Sequence, residues 1–312
     1  MKRVYYYDNI KGLLILLVVF YHIFNAFSSY YGYDASLFKL VGFVMMPIFI
    51  YTTGVSARLS KRSPKKRAFK ILSIYLIFNT LTTLFYYFVL KTITIHDFFI
   101  HPRYTLWYLL TCFWLYLSEY GLIKINYKKA FFFSILITLF IGFVPFITDF
   151  LSLARTINFY PFFILGYYHK EFHIEDILSR YKYIIIFSAL ICILWFLFHQ
   201  DYFYYSDTYM KYNYYTYSTP FLCFKKRCLL IPINIILSAF LLNIIPKSKN
   251  FLSNFGNKTI FIYLFHGIFI QTIQKYKIYL KHPSLQIIFV YILSIFFGYL
   301  IYFLFKKIKK SS

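Results

Sequence analysis

Runs of about twenty apolar residues recur along the whole chain, and they constrain its fold more than any single motif. An α-helix rises about 1.5 Å per residue, so about 20 apolar residues cross the hydrocarbon core of a bilayer. Ten such stretches are legible, at roughly 10–30, 37–56, 68–90, 104–123, 130–147, 156–168, 183–198, 228–245, 259–274 and 285–305. The sixth is short; as a tilted or half-buried segment it would reduce the count to nine. The stretches use up most of the 312 residues. The expected architecture is therefore all-α: a polytopic transmembrane helix bundle forming one domain, 1–312. Composition agrees. The chain is 60% hydrophobic and 14% charged, against about 25% charged for ordinary soluble domains. So few charges could not cover so much apolar surface in water.

The net charge of +24 raises the question of nucleic acid. The bases sit in short segments between apolar runs, however, where the positive-inside rule accounts for them. With the amino terminus inside, the inner segments hold Lys2 and Arg3, the dense run Arg58 to Lys70, and Lys124, Lys128 and Lys129. They also hold Lys170, Arg180, Lys182, Lys247, Lys249, Lys258 and the tail bases from Lys306 to Lys310. Twice as many of the 34 Lys and Arg fall inside as outside. Both termini are thus expected on the cytoplasmic side, and no nucleic-acid partner is expected. The outer cluster Lys225, Lys226 and Arg227 runs against the rule. The first stretch has a longer apolar core than a cleaved leader and no clean small-x-small site, so it reads as a retained helix. The four cysteines show no metal-ligand spacing, and no metal is expected. The tyrosine-rich segment 199–227 suits an interfacial aromatic belt or a stacking platform for sugar.

Polar side chains at membrane depth are costly without partners, so each one is a candidate functional group. Of eight histidines, only His22 and His266 lie well inside apolar stretches. Lys11 and His22 are eleven residues apart, three helical turns, and return to nearly the same face about 16 Å further on. Asp8 precedes Lys11 by three and Asn25 follows His22 by three, so one stripe carries Asp8, Lys11, His22 and Asn25. A bland reading remains open for both histidines: a buried imidazole bonded to a neighbouring helix. The run from Arg58 to Lys70 could set topology and touch anionic lipid. It could also cradle the phosphates of a soluble donor, with Arg67 and Lys70 on one face. Glu119 reads as snorkelling to the interface, and Arg155 as an interfacial anchor.

These residues resemble the acyltransferase 3 family of multi-pass membrane acyltransferases. Asp8-Asn9-Ile10-Lys11-Gly12 with His22 is similar to the family's amino-terminal motif of a base, ten residues and a histidine; Lys11 stands where members often have arginine. Arg67-Ala68-Phe69-Lys70 resembles the RxxR motif, again with a lysine substitution. Leu106-Trp107-Tyr108-Leu109 resembles the W-[FY]-L element, and Arg155 with Pro161-Phe162-Phe163-Ile164-Leu165-Gly166-Tyr167 the R…PFFxLGY element. Ile262-Tyr263-Leu264-Phe265-His266 resembles the terminal IYLxH element. The five motifs occur in order over residues 5 to 305. The branch they most resemble is that of fucose 4-O-acetylase-like and surface-polysaccharide O-acetyltransferases.

The resemblance implies transfer of an acyl group, expected to be acetyl, from acyl-CoA to a sugar hydroxyl. The acceptor would be a cell-surface or capsular polysaccharide or its lipid-linked precursor. His22 is then the general base, with Asp8 and Lys11 positioning the inner end of its stripe. Arg67 and Lys70 would bind the anionic donor, and His266, Trp107 and Arg155 would line the substrate cavity. Acyl-CoA is a substrate here and no permanently bound cofactor is expected. The expected partners are acyl-CoA, the glycan acceptor, membrane lipids and polysaccharide-assembly proteins. The residue bias toward Phe, Tyr, Ile, Lys and Asn fits an AT-rich genome, and a bacterial cell membrane is the expected location. Two other classes share the apolar spans: a transporter or flippase of polysaccharide or lipid-linked sugars, and a non-catalytic scaffold. No repeat or paired Gly/Pro-broken spans point to a transporter.

Overall fold

The computed structural model describes residues 5–32, 38–92, 101–147, 150–203, 207, 210, 213–216, 219–278 and 281–311. Lys2, Arg3 and His96 lie outside them, as do parts of the tyrosine-rich segment. Twelve α-helices, and no strand, occur among the described residues. In chain order they are α1 (Tyr5–Tyr31), α2 (Lys39–Leu59), α3 (Pro64–Phe85), α4 (Trp107–Leu122), α5 (Tyr127–Phe140) and α6 (Leu153–Tyr167). Then follow α7 (Ile174–Arg180), α8 (Lys182–Phe198), α9 (Pro220–Ile244), α10 (Phe251–Gly256), α11 (Thr259–Lys275) and α12 (Pro283–Ser311).

Five stretches are long and apolar enough to cross a membrane: Tyr5–Ser28, Lys39–Leu59, Pro64–Leu90, Pro220–Ile244 and Pro283–Leu304. The pair α7 and α8, bent by 80°, would add a sixth as a broken span. At the stretches expected near 104–123, 130–147, 156–168 and 259–274, the helices α4, α5, α6 and α11 have 16, 14, 15 and 17 residues. Pro47, Pro161 and Pro232 sit inside helices. Transmembrane helices tolerate this where neighbouring groups satisfy the freed carbonyl. On α12 the exposed residues Leu285, Ile288, Phe289, Ile292, Phe296, Leu300 and Phe303 recur at helical spacing. Such a stripe faces hydrocarbon at no cost, whereas in water it would be an aggregation surface.

The chain forms two compact units, each drawn from separate parts of the sequence. The first comprises Met1–Val41, Thr82–Thr94 and Ile245–Ser312. In it, α1 packs on α10, α11 and α12. Gly12 and Gly256 let α1 and α10 meet backbone to backbone: a Cβ on Gly12 would collide with the Leu252 carbonyl, and one on Gly256 with that of Asp8. Asn9, fully buried, secures the same junction. Its Nδ2 donates to the carbonyls of Pro246 at 2.7 Å and Ser248 at 2.8 Å. Its Oδ1 accepts from Ser253 Oγ at 2.6 Å, so each polar atom is satisfied despite burial. Gln274 Nε2 donates to the Ala26 carbonyl at 3.0 Å, tying α11 to the far end of α1.

The second unit comprises Gly42–Leu81 and Ile95–Ile244. Here α5 packs on α6, α8 on α9, and α4 on α6. Gly54 of α2 and Gly166 of α6 repeat the glycine device: a Cβ on either would strike a backbone carbonyl of the other helix, from Phe163 and Tyr51 respectively. Helix α6 enters from two consecutive left-handed residues, Leu151 (φ 47°) and Ser152 (φ 59°). Left-handed backbone costs about 1–2 kcal/mol at a residue with a Cβ. Partners on α4 offset that cost. Trp114 Nε1 donates to the Leu151 carbonyl at 3.1 Å, and Thr111 Oγ1 bonds Ser152 Oγ at 3.1 Å. The turn delivers Arg155, three residues later, into the interior.

Candidate active site

The expected site residues fall in two groups, one in each unit. Asp8, Lys11, His22 and His266 belong to the first unit, and Arg67, Lys70, Trp107 and Arg155 to the second.

In the first unit, α1 displays the stripe that its spacing predicts. Asp8, Lys11, His22 and Asn25 are all partly exposed, while Ile15 and Val18 between them are buried. Asp8 and Lys11 interact electrostatically one turn apart. Helix α11 then places His266 beside His22, with ring centroids 5.5 Å apart and planes inclined by 36°. His266 is completely buried. Its Nδ1 lies 3.2 Å from the Ile262 carbonyl one turn earlier on its own helix. A carbonyl can only accept, which assigns the proton to Nδ1 and leaves Nε2 as a lone-pair acceptor. That Nε2 has no hydrogen-bond partner among the described residues. Buried polar atoms are ordinarily satisfied, so an open acceptor in the interior marks a place for a donor.

In the second unit, the expected anion-gripping pair does not present together. Arg67 turns inward. Its Nη2 donates to Glu119 Oε2 at 2.6 Å, its Nη1 to the Ala57 carbonyl at 2.8 Å, and its Cζ lies 5.1 Å from the Tyr116 ring centre. Lys70 is exposed, as are Lys61, Arg62, Lys65 and Lys66. Glu119 is buried, not snorkelling: its side chain is 3% exposed against 12% for Arg67. The apolar flanks of α4 concealed its partner, which lies 52 residues away.

Arg155 is also buried, against the expectation of an interfacial anchor. Its guanidinium lies 4.6 Å from the centre of the Trp107 ring, which in turn stacks on Phe159. Below it, the hydroxyls of Thr111, Ser152 and Thr156 bond one another at 3.1 and 3.2 Å, and Thr53 bonds Tyr108 at 2.7 Å. Arg227, expected in an outer loop, is buried too. It donates to Asn158 Oδ1 at 3.0 Å and to the Thr138 carbonyl at 3.2 Å, and faces the Tyr214 ring. The hydroxyl partners give little signal in a hydropathy profile, because Thr, Ser and Tyr barely lower it.

The family model for an acyltransferase domain, the acyltransferase 3 family, matches residues 4–303. No curated protein and no solved structure gives a significant match. The match takes in every motif from the α1 stripe to His266. The chain belongs to the acyltransferase 3 family, and it is a membrane acyltransferase.

Proposed function

We propose that this chain transfers an acetyl group from acetyl-CoA to a sugar hydroxyl of a cell-surface polysaccharide or its lipid-linked precursor, in a bacterial cell membrane with both termini inside. The observation that carries the reading is the pairing of His22 and His266 at 5.5 Å, on a stripe that begins with Asp8 and Lys11.

The chemistry follows from what imidazole can do. A sugar hydroxyl is a weak nucleophile until its proton is removed as it attacks. A neutral imidazole removes it with a pKa near operating pH. His22 takes the proton, the hydroxyl oxygen bonds to the thioester carbonyl carbon, and the carbon–sulfur bond breaks. The proton returns to the departing thiolate, so the products are the sugar ester and free CoA. The open Nε2 of His266 suits a hydrogen bond from the acceptor sugar, which would orient it.

The donor carries several phosphates. Lys70 and the exposed bases Lys61, Arg62, Lys65 and Lys66 provide charge for them, with Arg67 at the inner edge of the run. Within the second unit, Trp107 and Arg155 offer an aromatic and cationic surface suited to substrate. Family membership favours acyl transfer over the transport of glycans or lipid-linked sugars.

The test is acetyl-CoA consumption and ester formation by purified protein in lipid, wild type against His22→Ala. Loss of ester formation with unchanged expression and melting supports the reading. Full activity of the variant removes His22 as the base, and no acyl transfer from any acyl-CoA by the wild type removes the reading.

A further inference from the structure

Within the second unit, a half-open cavity of about 420 Å³ lies among α2, α5, α6, α7, α8 and α9. Its walls are side chains such as Pro47, Ile48, Phe162, Leu178 and Ile184. It lies apart from the polar layer of Arg155, Thr111 and Asn158, none of which lines it. We propose that this cavity is a binding site for one hydrocarbon chain of an anionic phospholipid, whose phosphate headgroup rests on the bases at the α5, α7 and α8 termini.

Three observations specify that occupant. The walls carry almost no polar atoms, so they exclude charged or sugar groups, and burying hydrocarbon there is favourable. The cavity is also shaped by the 80° bend between α7 and α8. The bend turns Ile174, Ile177 and Leu178 of α7 toward the cavity, while Glu175, Asp176 and Arg180 stay exposed. An amphipathic turn of this kind lies at a bilayer interface, with headgroups beside it and acyl chains below.

Charge is the second. Lys128 and Lys129 stand just before the cavity residue Phe131. Arg180 follows Leu178, and Lys182 precedes Ile184. All four bases are exposed. Glu175 and Asp176 are the acids of α7, so beside these cavity residues four bases stand against two acids and the helix ends are net positive. A net-anionic headgroup suits such a setting better than a zwitterionic one.

The third is a buried hydroxyl in that wall. Ser238 lines the cavity from α9, is buried, and its Oγ has no hydrogen-bond partner among the described residues. A buried hydroxyl in a largely apolar wall calls for one acceptor, and the ester carbonyl of a phospholipid chain provides one.

The test reconstitutes the full chain into vesicles of phosphatidylcholine with a minor share of phosphatidylglycerol. The protein is re-extracted in detergent, and bound lipid is counted by native mass spectrometry. Wild type should retain one phosphatidylglycerol. Ala239→Phe, which fills the cavity from α9, should lower retention at least tenfold, whereas Ile77→Phe on the exposed face of α3 should not. The exposed double variant Lys129→Glu with Lys182→Glu leaves the interior intact. It should abolish the preference for phosphatidylglycerol even if Ala239→Phe fails to fold. Equal retention of phosphatidylcholine by wild type overturns the proposal. So does displacement of the lipid by added long-chain acyl-CoA, or a mass showing a second copy of the chain in its place. Melting and acetyl transfer are read in parallel, so loss of the lipid is distinguishable from failure of the enzymatic reading.

Discussion

Arg67 and Glu119 form a buried ion pair at 2.6 Å that ties the start of α3 to the end of α4. The arginine belongs to a segment of seven bases, Arg58 to Lys70; Arg58 also pairs with a carboxylate, that of Glu171 at 2.7 Å, but in a more exposed setting. Glu119 Oε1 and Arg67 Nε remain buried without hydrogen bonds among the described residues, so the pair is only partly satisfied. In a low-dielectric interior, removing one member strands the other charge, while removing both costs little.

Glu119→Ala or Arg67→Ala should therefore destabilise by about 3–5 kcal/mol. The double replacement Arg67→Met with Glu119→Leu should recover most of that loss. Thermal unfolding in detergent checks the order. Acyl-CoA affinity of the double variant separates the two roles of Arg67: if it also contacts the donor, affinity falls although stability has returned.

For the paired imidazoles, His22→Ala should lower kcat by about 10²–10⁴-fold, the usual worth of a positioned base. His266→Phe should raise KM for the acceptor more than it lowers kcat, because its role is to hold a donor group. An equal loss in both parameters, with lowered melting, would reduce His266 to a packing residue.

The glycine contacts give a stability prediction that does not depend on function. Gly12→Ala and Gly256→Ala should each cost about 1–3 kcal/mol through forced separation of α1 and α10. Gly121→Ala meets nothing within 4 Å among the described residues and should leave melting unchanged. Three melting curves decide it.

Asn9 makes three hydrogen bonds that close the junction of α1 with the chain before α10. Asn9→Leu keeps the volume and orphans two carbonyls and a hydroxyl. Ser253 is buried, and leaving its hydroxyl unpaired costs about 1–3 kcal/mol, whereas the carbonyls of Pro246 and Ser248 belong to exposed residues and can turn to water, so the variant should melt lower. Limited proteolysis near 246–253 should become faster than in wild type.

At Trp107, the guanidinium of Arg155 sits 4.6 Å above the ring. Trp107→Leu should lose about 0.5–2 kcal/mol from the cation–π contact together with ring packing. Arg155→Lys should be milder than Arg155→Ala, because the ammonium keeps the charge but not the planar stack. Melting and acceptor KM, measured together, separate a structural wall from a substrate contact.

Much of this was legible in the sequence because it depends on periodicity. The eleven-residue interval from Lys11 to His22 placed both on one partly exposed stripe of α1, since helical geometry is fixed at 3.6 residues per turn. The glycines of Gly12 and the Leu165-Gly166-Tyr167 element were legible as motif positions, but not as contact points. Glu119 and Arg155 were misread as interfacial because each is judged, in sequence, by its own flanks. Their actual environment is a partner 52 residues away for Glu119 and an indole 48 positions earlier for Arg155.

The sequence by itself determined the solvent and the element type. Sixty per cent hydrophobic residues in runs of about twenty have no stable solution in water, and in hydrocarbon the backbone must satisfy itself as helix. Only the tertiary structure decided which polar groups meet. Arg67 with Glu119, and His22 with His266 across 244 residues, are products of helix packing. Packing is set by glycine contacts, buried amides and side-chain shape spread over the whole chain, and no local window of residues contains that information.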